Sequence, residues 1–192
     1  FALLNQNAAD NAFNVAVGYN AGGAVTTGVQ NTLIGGLAGD ALTTGGYNVA
    51  IGYGALSTED AHGKNTAIGF QSLASQNAGA EAYNVAIGFE AGKLVSTGVQ
   101  NTIVGAQAGD ALTTGSYNTV FGYEALTTED AHSGNTAIGY QALRVQDAGS
   151  NAYNTAVGHQ AGVSVTTGVL NTIVGSLAGD ALTTGNRNVA IG

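Results

Sequence analysis

Polar and apolar positions recur along this chain with a fixed period. A five-residue motif (Asn, then Val or Thr, then two apolar residues, then Gly) opens at Asn14, Asn31, Asn48, Asn65, Asn84, Asn101, Asn118, Asn135, Asn154, Asn171 and Asn188. The steps are 17, 17, 17 and 19 residues, the same four again, then 17 and 17, so a 17-residue unit is nested in one of 70. The β-branched residues after each Asn are stiff at the first side-chain torsion and suit a pleated strand, and five residues is a strand length. A strand repeated at this period predicts an all-β fold, a parallel β-solenoid or β-roll, in which each coil lies on the one before. Successive motif strands are then parallel, in register and about 4.8 Å apart. The repeat predicts one solenoid domain over residues 1–192, with a partial coil at 1–13 and an opening strand at 188–192. Ala2 to Ala8 correspond, at an offset of 70, to Ser72 to Ala78, the back half of the 19-residue coil that opens at Asn65.

Counting the motif Asn as position 1, position 8 is Ala in nine of ten coils, Ser72 being the exception. Position 9 runs Gly, Gly, Leu, Leu and repeats, and position 15 is Gly except for His62 and His132. This predicts two short strands per coil, at positions 1 to 5 and roughly 8 to 12, joined by Gly-bearing turns that include Gly35, Gly105 and Gly175. Positions 2 and 4 share a face; turned inward, Val15, Val17, Val49, Ile51, Val85 and Ile87 would line a narrow core against the position-8 alanines. Position 3 then points outward and is always apolar, as at Ala16, Leu33, Ile103 and Ile173. A strand apolar on both faces is usually covered on both. The expectation is lateral association along that stripe as a dimer, trimer or bundle; the plainer reading is that small alanines are tolerated at a surface.

Composition narrows the function classes. The 31 glycines recur at fixed positions and read as turn positions, not as the mark of a disordered chain. A net charge of −8 with only four Lys and Arg cannot neutralise a phosphate track, which argues against nucleic acid. No apolar stretch approaches the roughly 18 residues of a membrane span, so membrane insertion is not expected. Without Cys there are no disulfides. The chain opens on Phe1, which predicts a processed chain, an expressed fragment or a window of a longer array.

Candidate chemistry is sparse. Asp40, Asp110 and Asp180 recur in one coil kind, and Glu59-Asp60 and Glu129-Asp130 in the next. Carboxylates with turn carbonyls can hold calcium, but no calcium-binding loop motif is present and Asp is a common turn residue. His62 and His132 are four coils apart, about 19 Å at strand spacing, and with His159 form no metal cluster. Pairing of His62 with the Glu59-Asp60 turn is the reading preferred over ligation. No metal site, cofactor or catalytic residue is expected; the chain reads as a non-enzyme. The Asn column is read as a ladder of side-chain amides hydrogen-bonded from coil to coil. Aromatic residues flank it: Phe13, Tyr47, Tyr83, Tyr117 and Tyr153 before the Asn, and Tyr19, Tyr53, Phe70, Phe89, Tyr123 and Tyr140 after the Gly. Their stacked rings are read as structural, with sugar binding as the alternative where they are exposed.

The segments Asn135 to Leu143, Asn-Thr-Ala-Ile-Gly-Tyr-Gln-Ala-Leu, and Asn48 to Leu56, Asn-Val-Ala-Ile-Gly-Tyr-Gly-Ala-Leu, resemble the YadA-like head repeats of trimeric autotransporter adhesins. They are also similar to arrays in phage and bacterial tail-fibre proteins. The resemblance covers nearly the whole chain. It implies a left-handed parallel β-roll, often three chains around one axis, serving as a stiff stalk or adhesive head. The coils of 17 or 19 residues are longer than the adhesin head repeat, and no stalk, membrane anchor or chaperone domain accompanies them.

The function expected is therefore a structural repeat protein of an extracellular, cell-surface or virion fibre, self-associating head to tail or as a lateral trimer, with cell-surface glycans as possible ligands. The alternative is an ice-binding or carbohydrate-binding solenoid. Thr-Thr-Gly recurs at Thr26, Thr43, Thr113, Thr166 and Thr183, but the rungs opening at Asn48, Asn65, Asn118 and Asn135 carry Asp or Asn there and interrupt any regular array. The opening strand at Asn188 and the return leg at Phe1 to Phe13 together make 18 positions, which predicts end-to-end completion of a coil between copies.

Overall fold

The structure is a computed structural model that describes residues 1–8 and 11–192; residues 9 and 10, within the expected partial coil, lie outside the described residues. The protein is a parallel β-solenoid. Among the described residues, eleven three-residue strands run from β1 (Val15–Val17) to β11 (Val189–Ile191), and each pairs in parallel only with its neighbours in sequence order. The register is that of the motif: Val15 faces Thr32, Ala16 faces Leu33, and so on to Ile173 opposite Ala190. The described residues contain no helix.

Two expectations about the coil are corrected. The first concerns which side of the strand is inside. Position 3 is the buried one, with Leu33, Ala50, Ala67, Ala86, Ile103 and Val120 wholly inaccessible, while Val15, Val17, Ile34, Ile87 and Phe121 at positions 2 and 4 are exposed. Side chains alternate along a strand, so position 3 shares a face with position 1, and the Asn of position 1 turns inward from Asn31 to Asn171. The apolar stripe that faces solvent is therefore position 4, bordered by position 2, which is Thr on seven rungs and Val on four.

The second correction is that each coil has one strand of three residues, with no second strand at positions 8 to 12. That leg is a run of turns. Its residues still bond from rung to rung: the Gly22 N–H donates to the Ala38 carbonyl at 2.9 Å, and the Leu73 N–H to the Ala91 carbonyl at 3.1 Å. Extended pairing fails because side-chain-bearing residues here adopt the left-handed region, among them Leu56 (φ 53°), Gln71 (φ 51°) and Leu73 (φ 47°).

The interior is filled by size compensation. Where position 9 is Gly, a large strand centre of the same coil or of the next one takes the room: an added Cβ on Gly39 would collide at 2.8 Å with Leu33 Cδ2, and one on Gly22 at 2.6 Å with Leu33 Cδ1. Where position 9 is Leu56 or Leu73, the strand centre is Ala50 or Ala67. Gly35, Gly105 and Gly175 sit, as expected, at close approaches: φ is near +130° at each, and a side chain would run into the carbonyl of the next rung. The first residues also lie as their counterparts 70 residues on do. The Leu3 N–H donates to the Ala21 carbonyl as Leu73 does to Ala91, and Asn7 to Thr26 as Asn77 does to Ser96.

Candidate functional site

The Asn column forms a ladder, though it runs chiefly through the backbone and only secondarily from amide to amide. Each Asn Oδ1 accepts the backbone N–H of the next Asn: Asn84 from Asn101 at 2.8 Å, Asn101 from Asn118 at 2.9 Å. Each Nδ2 donates to the position-15 carbonyl of its own coil, as Asn101 does to Gly115 at 2.9 Å. Direct amide pairs join in at Asn118 to Asn101 and Asn188 to Asn171. A buried amide costs little when both of its ends are paired, which is how this column can occupy the core. The two 19-residue coils depart from the pattern: the Nδ2 atoms of Asn65 and Asn135 are buried without a partner. Gln76 and Gln146 reach across instead, each accepting the Nδ2 of the following Asn, at 2.7 Å from Asn84 and 2.9 Å from Asn154.

Those glutamines belong to a second buried column. Position 12 reads Val25, Leu42, Glu59, Gln76, then Val95, Leu112, Glu129, Gln146, so two apolar rungs alternate with two polar ones. Glu59 and Glu129 are wholly buried. Glu129 Oε1 accepts the His132 backbone N–H at 3.2 Å and meets the ring Nδ1 at 2.5 Å, while Oε2 accepts Gln146 Nε2 at 3.0 Å. Glu59 Oε1 likewise accepts the His62 N–H at 3.1 Å, but His62 Nδ1 stands off at 3.7 Å and Glu59 Oε2 has no partner. Burial pushes the Glu59 carboxyl above its ordinary value, against the weaker pull of the His62 N–H and ring.

The expected link between His62 and its Glu-Asp turn is thus present as proximity, and at His132 as direct contact. Sequence reasoning missed the rest of the cluster. Donor atoms of Glu59, Asp60 and His62 all lie within 4.8 Å of one another, as do those of Glu129, Asp130, His132 and Asp147. Glutamate in a column whose other members are Val, Leu and Gln was the available signal. His159 is elsewhere, stacked on Tyr140 at 5.0 Å.

The aromatic residues after the Gly do stack. Tyr53, Phe70 and Phe89 form one ladder at 5.8 and 5.2 Å, and Tyr123, Tyr140 and His159 another. In each ladder the middle ring is covered on both faces, so it offers only its edge to a ligand. Gly36, Ala106 and Ser176 interrupt the column once in every 70 residues. The hydroxyls of Thr26, Thr43, Thr113 and Thr166 donate to carbonyls one rung on, which spends them on the coil. A polar hollow of about 480 Å³ lies over Gln107, Asp110, Glu124 and Arg144. No helix among the described residues is long and apolar enough to cross a membrane.

Compared with protein families, curated proteins and solved structures, the chain matches none. What defines it is its own geometry: a solenoid with one uncovered apolar sheet face and two polar corners.

Proposed function

We propose that the chain is a structural rod of an extracellular or virion fibre, self-associating laterally through the outer face of its strands. The observation that carries this reading is the composition of that face. Position 4 presents Val17, Ile34, Ile87, Phe121 and Val174 to solvent in one in-register column, and exposed rings of Tyr47, Tyr53, Phe89, Tyr117, Tyr123 and Tyr153 flank it on both sides. Eleven rungs at strand spacing make a strip about 53 Å long. At a width of roughly 15 Å it offers about 800 Å² per partner, the size of a standard specific interface. Threonines at position 2 border the strip on seven rungs, but its apolar centre is continuous, and soluble monomers rarely leave so long an apolar stripe uncovered. A second copy is its natural cover, because an in-register column that is Val or Ile on ten of eleven rungs can pack on a copy of itself. The repetition of the same rung supports a structural role over a catalytic one, and the resemblance to adhesin heads and tail-fibre arrays agrees with it.

The test is light scattering on the parent and on an Ile87→Glu/Phe121→Glu variant. The parent is expected to be oligomeric and the variant monomeric with an unchanged far-ultraviolet circular dichroism spectrum. A parent that stays monomeric at high concentration overturns the reading.

A further inference from the structure

We propose that the two Glu-Asp-Ala-His corners are divalent-metal sites of the zinc class, one held by Glu59, Asp60 and His62 and the other by Glu129, Asp130, His132 and Asp147. Three observations converge on them. A carboxylate has been placed twice, 70 residues apart, in a column that elsewhere holds Val, Leu or the uncharged Gln, and in both places it is wholly inaccessible. Burying a carboxylate costs several kcal/mol unless a partner compensates it.

The second observation is that compensation from protein groups in the first corner stops at the His62 backbone N–H, which Glu59 Oε1 accepts. Glu59 Oε2 and His62 Nδ1 are both buried atoms with no hydrogen-bond partner. His62 Nδ1 lies 3.7 Å from Glu59 Oε1, beyond a hydrogen bond. Ligand bonds of about 2.0–2.2 Å put two donor atoms on one tetrahedral ion roughly 3.3–3.6 Å apart, close to this separation.

Thirdly, the donor sets are compact and mixed. Every donor atom in each corner lies within 4.8 Å of the others. One imidazole with two or three carboxylates suits a zinc-class ion better than calcium, which prefers an all-oxygen shell. Gln146 Nε2, on Glu129 Oε2, orients that carboxylate from behind as outer-shell partners of metal ligands do. A chain of net charge −8 also favours cation capture.

The corners differ in one ligand. Asp147 Oδ1 stands 4.0 Å from His132 Nδ1, whereas the residue 70 positions earlier is Asn77. The second corner therefore has one more carboxylate, but its Glu129–His132 contact at 2.5 Å must open to admit an ion, whereas the donors of the first corner already stand apart. Zinc chloride titrated into chelator-stripped protein, followed by calorimetry and by imidazole nuclear magnetic resonance, tests this. Two ions per chain are expected, moving the His62 and His132 signals while His159, with no carboxylate cluster, serves as the internal reference. Asp147→Asn reproduces the first corner's residue, so it should fold, and it should weaken the second site by at least about tenfold while sparing the first. The proposal is overturned if no imidazole responds at millimolar zinc, if His159 responds together with the other two, or if Asp147→Asn leaves both affinities unchanged.

Discussion

The backbone N–H of Asn101 donates to Oδ1 of Asn84, one rung away, at 2.8 Å. The same Asn84 side chain donates through Nδ2 to Gln76 Oε1 and to the Gly98 carbonyl, both at 2.7 Å. One buried amide thus satisfies groups on three coils. Asn84→Leu would orphan an N–H and two acceptors, each costing about 1–3 kcal/mol. The expected outcome is a loss of at least about 3 kcal/mol in urea unfolding. A loss below about 1 kcal/mol would mean that the ladder contributes little.

A side chain on Gly105 would collide with the carbonyl of Gly122, and the φ of +133° there is itself strained for any other residue. Gly105→Val should separate the strands at Thr102–Val104 and Thr119–Phe121. Protection from hydrogen exchange in those rungs is expected to vanish, and a variant melting like the parent would show that the rungs do not approach so closely.

Inside and outside can be told apart by one pair of variants. Ile103→Glu places a charge at a fully buried strand centre and should unfold the neighbouring rungs, at several kcal/mol. Phe121→Glu, on a side chain 56% exposed, should leave monomer stability within about 0.5 kcal/mol. If the two variants denature alike, the assignment of the strand faces is wrong.

Burial raises the Asp110 carboxyl above its ordinary value, outweighing the backbone N–H groups of its own turn. A raised pKa in the folded state favours folding below the ordinary value, and that contribution is lost as pH rises through the raised one. Asp110→Asn should therefore melt higher than the parent at neutral pH, with the difference shrinking near about pH 3. Equal differences at both pH values would count against a raised pKa.

Rung spacing, register and parallel pairing were legible because Asn14, Asn31 and their successors mark every coil with one residue type. The direction of the strand faces was not, because Ala16 and its neighbours Val15 and Val17 are all apolar. Hydrophobicity alone does not rank two apolar faces; the decisive clue was that Ala16 shares its side with Asn14, a residue able to satisfy buried backbone. The turn conformation at Leu56 and Gln71 was hidden for a different reason. Neither residue type favours positive φ, and only the stacking of neighbouring rungs holds it there. The polar corner was half visible: Glu59 and His62 were noticed as neighbours, but not that Glu59 occupies the register of Val25 and Leu42.

The fit between unlike coils sets how such a rod can change its length. The Leu33 side chain fills the room left by both Gly22 and Gly39, and Gln76 bonds Asn84 across the next seam. Excising a single 17-residue coil would bring together neighbours that do not fit. Excising residues 31–100, by contrast, joins Gln30 to Asn101 just as Gln100 joins it now, and every seam stays of a kind already present. Length is thus quantised in steps of four coils, about 19 Å each, so a gene that gains or loses whole 70-residue blocks resets the reach of the solenoid without redesigning any contact.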